Sequence, residues 1–398
     1  MSRIVFFSIP AHGHTNPTLE VVRELTDRGH QVWYFSFEEF RERIIAAGAI
    51  MIPCDKYLPV LTEKEQKHVN KIVGKDFAAM VEMMVDTLLT MEGDVLKQLE
   101  EIQPDCIVSD SICLWGKLFA KKLNIRLVCS TTTFAMNQHT AGLMKPKLGE
   151  MVRTILGMGR INKKIAQLND HGYEVPDLQS LIGNDDRVET IVYTSRLFQP
   201  RSETCGSNYV FSGPSIRKSE RNAVIKRKGR PLVYISLGTV LNKNSHFYKN
   251  CIKAFKGSDL DVIISAGENT DIESLGVIPE NITIKHRVDQ IAVLKSADVF
   301  LTHCGMNSVN ESLYFAVPMV LFPQHSEEAM VANRVEEVGA GVKLKSVSSS
   351  NIKTAVLEVL GEQSYSKNAE LVRDSFFKTG GPKAAAELIL NIDPVRYA

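Results

Sequence analysis

Twice along this chain, short apolar runs alternate with segments of helical periodicity, and this alternation restricts the fold more than any other feature. In the first series Ile4–Ile9, Val32–Ser36, Cys106–Ser109 and Leu127–Cys129 read as strands, with helical patterns at Pro17–Asp27, Arg41–Ala47 and Ile112–Leu123. In the second, strands at Leu232–Ser236, Val262–Ser265, Ile282–Ile284, Val299–Thr302 and Met319–Phe322 are interleaved with helices at Phe247–Phe255, Gln290–Leu294, Ser308–Phe315 and Ala329–Val338. Strands that read as unbroken apolar runs belong to parallel sheets covered by helices on both faces. Helical patterns at Asn351–Leu360, Asn368–Phe377 and Pro382–Ile392 close the chain. A length of 398 residues suits two domains. We expect a first doubly wound domain over 1–214, a basic polar linker over 215–230 and a second domain over 231–380. A last helix within 381–398 is expected to pack back on the first domain.

The charge balance excludes several partners. With 47 basic and 46 acidic side chains the formal net charge is +1, so no global field draws nucleic acid or an anionic membrane. No stretch approaches the ~20 apolar residues of a membrane span, and the apolar run near the start is too short for a signal-peptide core. The seven cysteines, Cys54, Cys106, Cys113, Cys129, Cys205, Cys251 and Cys304, are odd in number and widely spaced, with no CxxC pair. That pattern speaks against a disulfide framework or a structural zinc site and points to a reducing cytoplasm. Two stretches interrupt the alternation, the long helical pattern Asp76–Glu101 and the mixed Phe134–Asp186. Both could wall a ligand site, and ordinary core is the better reading of any single residue there.

Four places carry candidate chemistry. Ala11–Pro17 joins the first strand to the first helix, where ligands bind in open α/β sheets. Asn16 reads as the N-cap with Pro17 at the first helical position. A helix N-terminus beside His14 favours the neutral imidazole that a general base requires. Two histidines in three residues also raise a metal site, but no third ligand is near. Asp110 ends another strand; it can cap a helix, or fix a His14 tautomer if its strand adjoins the first. Ser236-Leu237-Gly238-Thr239 ends the first strand of the second half, and its hydroxyls and backbone suit a phosphate. In Thr302–Glu311, the densest cluster, Gly305 permits close backbone approach. A helix then starts near Asn307, a ready diphosphate site. His303, Asn307 and Ser308 add donors, and Glu311 one turn on can reach a ribose. No GxGxxG follows a strand and no GxxxxGK occurs, against dehydrogenase and P-loop readings.

The run Arg287-Val288-Asp289-Gln290, His303-Cys304-Gly305-Met306-Asn307-Ser308, Glu311, Val317-Pro318, Pro323-Gln324, Glu327-Glu328 and Asn333-Arg334 resembles the nucleotide-sugar signature of the family-1 UDP-glycosyltransferases, in the bacterial macrolide-glycosyltransferase-like branch. Pro10–Pro17 and Asp110 resemble that family's N-terminal catalytic pair. The resemblance implies a GT-B fold, two Rossmann-like domains facing a central cleft, and inverting, metal-independent transfer with no cofactor beyond the UDP-sugar co-substrate. It implies His14 as the base and Asp110 as its orienting partner. Ser236, Thr239, His303, Gly305, Met306, Asn307 and Ser308 would hold the diphosphate. Arg287, Val288, Gln290 and Glu311 would hold the uridine, and Glu327 and Glu328 would face the sugar. Three positions depart from the family pattern: Arg287 replaces the base-stacking Trp, Asp289 a Pro, and Glu328 a Gln. A guanidinium can still stack on a base, and two carboxylates disfavour an acidic sugar. The donor expected is therefore UDP-glucose or a similar neutral hexose. The acceptor expected is a small hydrophobic phenol, macrolide or similar natural product, and the protein a monomer or weak dimer. Asp259-Leu260-Asp261 resembles the metal motif of the other glycosyltransferase fold but sits at a strand start. A nucleotide-sugar epimerase or hydrolase, or a non-catalytic nucleotide-sugar-binding protein, would share the diphosphate site.

Overall fold

The computed structural model describes residues 1–58, 76–144, 148–183, 187–217, 229–238 and 244–391. Among them the strands form two sheets in which every pair is parallel. The first holds β1 (Arg3–Phe7), β2 (Gln31–Ser36), β3 (Ile50–Pro53), β4 (Cys106–Asp110), β5 (Leu127–Thr131), β6 (Glu189–Val192) and β7 (Tyr209–Phe211), in the order β3-β2-β1-β4-β5-β6-β7. Its helices are α1 (His12–Asp27), α2 (Arg41–Ala46), α3 (Phe77–Ile102), α4 (Leu114–Lys122), α5 (Leu148–Asp170) and α6 (Leu178–Ile182). The second sheet holds β8 (Leu232–Ser236), β9 (Asp261–Ser265), β10 (Ile282–Lys285), β11 (Val299–Thr302), β12 (Met319–Leu321) and β13 (Gly341–Lys343), in the order β10-β9-β8-β11-β12-β13. With it go α7 (Ser245–Phe255), α8 (Gln290–Leu294), α9 (Met306–Tyr314), α10 (Ser326–Glu337), α11 (Ser349–Gly361) and α12 (Gln363–Phe376).

In each sheet the strand order reverses at one place, between β1 and β4 in the first and between β8 and β11 in the second. Helices leave such a switch point in opposite directions, which opens a crevice at the carboxyl ends of the two strands. The register sets Phe7 beside Ser109 and Thr302 beside Ser236. His14 and Asp110 therefore come from the two strand ends of one switch point, and Ser236 and His303 from those of the other.

The chain divides into two compact units, one of Met1–Tyr193, Arg201–Ser215 and Gly380–Ala398, the other of Thr194–Pro200 and Ile216–Thr379. The last helix, α13 (Gly381–Leu390), lies along α1 in the first unit and buries Ala385, Ala386 and Ile389 in its core. The Arg126 guanidinium holds it there, donating to the carbonyls of Leu388 at 2.8 Å and Ile389 at 2.6 Å while pairing with Glu189. One stretch departs from the expected 1–214 boundary: Thr194–Pro200 belongs to the second unit. Thr194 donates to Asn310 at 3.1 Å, and Arg334 donates to the carbonyls of Leu197 and Phe198 at 2.6 and 3.0 Å. Of the expected linker, 218–228 lies outside the described residues, as do 392–398 of the closing segment.

Other findings are local. The first helix starts at His12, not Pro17: the N–H groups of His14 and Thr15 both donate to the Ala11 carbonyl at 3.0 Å, so the helical ladder closes before Asn16 can cap it. Pro17 then falls inside α1, where it removes a single donor. One face of the methionine-rich α3 is core, as expected of that stretch. Val81, Met84, Leu88 and Met91 are buried, and a Cβ on Gly157 of α5 would come within 2.5 Å of the Ala78 Cβ. Asp259-Leu260-Asp261 leads into β9, where Asp261 pairs with Arg230 at 3.4 Å.

Candidate active site

At the first switch point, His14 stands in the first turn of α1 and Asp110 is the last residue of β4. His14 Nδ1 lies 2.7 Å from Asp110 Oδ2. The carboxylate is almost wholly buried, at 1% side-chain exposure, whereas the imidazole is 24% exposed. The other carboxylate oxygen, Oδ1, accepts the Ile112 N–H at 3.0 Å, which fixes the carboxylate plane. Asp110 thus contacts the histidine and takes a backbone N–H in the turn after the strand, but it does not cap α4, whose N-cap is Cys113. A residue the sequence reading missed joins them. Thr132, just past β5, places its Oγ1 3.1 Å from the same His14 Nδ1. No local signal marks Thr132 within Ser130-Thr131-Thr132-Thr133; only the pairing of β5 with β4 brings it there.

His12, two residues earlier, serves a different purpose. Its Nε2 is 2.7 Å from Glu39, its Nδ1 3.3 Å from the Arg43 guanidinium, and its ring meets Phe40 edge-on. These contacts brace the strand-to-helix turn. Among the described residues no three His, Cys, Asp or Glu side chains are grouped to hold a metal ion. All seven cysteines are buried free thiols, and burial pushes that of Cys106 up to about 12.

At the second switch point β11 runs into α9 through His303, Cys304 and Gly305. Gly305 is the N-cap, so the first-turn N–H groups of Met306, Asn307 and Ser308 point out of the helix end, where the dipole favours an anion. Cys304 is held at a φ of +71°, a left-handed conformation that costs a non-glycine residue about 1–3 kcal/mol. Its N–H is satisfied by Thr302 Oγ1 at 3.1 Å. The His303 ring fits between two glycines: a Cβ on either Gly238 or Gly305 would come within 2.5 Å of its Nε2. Burial lowers the His303 pKa, against the opposing pull of the Glu328 carboxylate. Its Nδ1 has no hydrogen-bond partner among the described residues. Ser236 closes β8 beside this turn and accepts the Gly238 N–H at 3.3 Å. Thr239 lies outside the described residues.

The residues expected around a nucleoside also gather in this unit. Gln290 opens α8 and donates to Glu311 Oε2 at 2.6 Å and Ser308 Oγ at 3.2 Å. Burial raises the Glu311 pKa, opposed by the Gln290 amide and the Arg217 guanidinium. Arg217 Nη2 is 3.0 Å from Asp289, which in turn caps α8. Asp289, standing where the family pattern has Pro, is thereby a helix cap and an ion-pair partner. Arg287 is exposed and pairs with Glu268 at 2.8 Å; Val288 is half-buried. Glu327 and Glu328 lie in the first turn of α10. The Glu328 carboxylate turns inward at 7% exposure, accepting the Gln324 N–H at 2.7 Å and lying 3.0 Å from His325 and 3.8 Å from His303.

Comparison with known proteins agrees with this architecture. The model of the erythromycin biosynthesis protein CIII-like C-terminal domain matches residues 250–391. The NDP-glycosyltransferase YjiC of Bacillus subtilis (strain 168) is 34% identical, over 97% of this chain and 96% of that protein. Demethyllactenocin mycarosyltransferase of Streptomyces fradiae is 29% identical, over 98% of this chain and 86% of its own. The crystal structure of the glycosyltransferase of kitacinnamycin superposes with a TM-score of 0.83 at 26% identity and covers 98% of each chain. Likeness over nearly the full length, in sequence and in fold, makes this chain a member of the family-1 glycosyltransferases, in their bacterial macrolide-glycosyltransferase-like branch, with the two parallel sheets of a GT-B fold.

Proposed function

We propose that this protein transfers glucose, or a similar neutral hexose, from its UDP derivative to a hydroxyl of a small apolar acceptor, with inversion at the anomeric carbon. The observation that carries the reading is the 2.7 Å contact of His14 Nδ1 with the buried Asp110 carboxylate. With its Nδ1 proton donated to Asp110, the ring has its basic lone pair on Nε2, and the carboxylate stabilises the imidazolium that forms. Nε2 removes the acceptor proton as the acceptor oxygen attacks the anomeric carbon from the face opposite UDP. The carbon–oxygen bond to the diphosphate breaks in the same step, and the electron pair leaves with UDP. Base catalysis of this kind contributes roughly 10²- to 10⁴-fold.

Negative charge grows on the departing diphosphate. The α9 start, with Gly305, Met306, Asn307 and Ser308, together with Ser236, Thr239 and His303, is assigned to that group, and oriented donors of this kind stabilise charge without reorganising. Val288, Gln290 and Glu311 hold the uridine, and Arg287 stacks on its base. Glu327 accepts hydrogen bonds from the hexose, while Glu328, spent on protein groups, acts through its charge. Two carboxylates at the sugar end favour a neutral hexose over a uronate. An apolar acceptor fits the exposed Met151, Val152, Ile155 and Leu156 on the first half of α5, within the stretch the sequence marks as a ligand wall.

The test is a screen of UDP-glucose, UDP-glucuronate and dTDP-glucose against phenolic and macrolide acceptors, with products identified by mass spectrometry and anomeric configuration by NMR. Glucosides of inverted configuration from UDP-glucose, unaffected by EDTA, are expected. Donor consumption without a glycoside, or an epimerised donor, overturns the reading. Preference for the glucuronate overturns the assignment of Glu327 and Glu328.

A further inference from the structure

The buried tyrosine beneath the nucleoside residues is absent from the reaction as described above. Tyr234 sits mid-strand in β8, is 1% exposed, and stacks on Phe300 with ring centroids 4.6 Å apart. Its neighbours Val233, Ile235 and Leu237 line the apolar core on the opposite face of the sheet. Tyr234 therefore puts a polar atom on the face it shares with Ser236. The phenol donates to Gln290 Oε1 at 3.0 Å. The amide nitrogen of Gln290 spends its two hydrogens on Glu311 Oε2 and Ser308 Oγ.

We propose that Tyr234 is a positioning residue of the donor site: its phenol fixes which way the Gln290 amide faces, and the amide then anchors one oxygen of Glu311 so that the other meets the ribose of a ribonucleoside diphosphate. This rests on the assignment of Glu311 to the ribose made above. The chain of contacts has one consistent direction. A carboxylate can only accept, so Gln290 must turn its nitrogen toward Glu311. Its carbonyl then faces the sheet, where a buried oxygen without a donor is costly. Phenylalanine at 234 would keep the ring stack with Phe300 and remove that donor. The amide would lose one of its two constraints, and Glu311 would lose a fixed partner. Tyr234 touches neither the sugar nor the reacting carbon, so its effect falls on nucleotide affinity and on recognition of the 2′-hydroxyl.

The experiment uses the full-length protein, with UDP and 2′-deoxy-UDP titrated by calorimetry and donor kinetics run in parallel. Tyr234→Phe is expected to bind UDP about 5- to 30-fold more weakly, as loss of a buried hydrogen-bond partner implies. The donor KM should rise in step, kcat should change less than about twofold, and the preference for UDP over 2′-deoxy-UDP should shrink. In a Gln290→Leu background the same substitution should cost nothing further, since its route of action is gone. An equal penalty in both backgrounds overturns the inference, as does wild-type affinity in Tyr234→Phe. Wild-type protein that binds no UDP overturns the donor-site reading, and this inference with it.

Discussion

His14 Nδ1 and Asp110 Oδ2 lie 2.7 Å apart although 96 residues separate them in the chain, because β1 and β4 are neighbours where the first sheet reverses its strand order. The contact gives a partly exposed imidazole a fully sequestered counter-charge. Replacing His14 by Ala is expected to lower kcat by about 10²- to 10⁴-fold while UDP affinity stays at the wild-type level. Asp110→Asn should also cost kcat, through the wrong tautomer. Thr132→Val, which removes a second contact at Nδ1, should cost only about 2- to 10-fold, and Thr132→Ser should restore it. Steady-state kinetics with calorimetry decide these; full activity in His14→Ala removes the ring from the base role.

Arg287 offers a planar cation where the family pattern has an aromatic ring. It is exposed and paired with Glu268 at 2.8 Å, so the stacking proposed for it would be worth about 0.5–1 kcal/mol. Arg287→Ala should weaken UDP binding by about 2- to 5-fold, and Arg287→Trp should match or exceed the wild-type affinity. Unchanged binding in Arg287→Ala would separate this side chain from the nucleobase.

His303 is expected to make stability depend on pH. Burial lowers its pKa from the ordinary value of 6.5. Between the lowered value and about 6.5 the unfolded chain binds a proton that the folded protein does not, so stability is full above that window and falls as pH drops through it. The thermal midpoint of the free protein should therefore decrease from pH 7 toward pH 5, with a shallower slope in His303→Asn. Bound UDP, whose diphosphate favours the charged ring, should offset part of the decrease. Identical slopes in the two proteins would exclude His303 as a source.

Arg126 joins the last helix to the first unit through two carbonyls and Glu189. Hydrogen bonds to a charged group contribute about 1.5–3 kcal/mol, so Arg126→Ala should lower the stability of that unit by about this amount. Both tryptophans, Trp33 and Trp115, belong to it, which lets fluorescence follow its denaturant unfolding. An unchanged midpoint would show that α13 holds without this guanidinium.

Long strands and amphipathic helices were legible because burial on both faces leaves an unbroken apolar run and burial on one leaves a stripe. β8, α8 and β11 stand where that pattern put them. β3, β6, β7 and β13 were not: each has only three or four residues, too few to show a period, whereas β10, β11 and β12, equally short, were placed by the helical patterns that alternate with them. The start of α1 was misplaced for a related reason, since Asn16-Pro17 carries a start signal that the backbone bonds to Ala11 override.

The sequence by itself determined the two doubly wound sheets and the strand ends at which the candidate site residues stand, because these depend on local pattern and short motifs. Only the tertiary structure decided what Asp110, Thr132, Tyr234 and Glu328 do. Each can cap, pack or bind with equal chemical ease, and strand order alone selects the partner: β4 beside β1 for Asp110, β5 beside β4 for Thr132, and β8 beside β11 for Tyr234. Glu328 was read as facing the sugar; the turn before α10 brings its carboxylate to the Gln324 N–H and within 3.8 Å of His303.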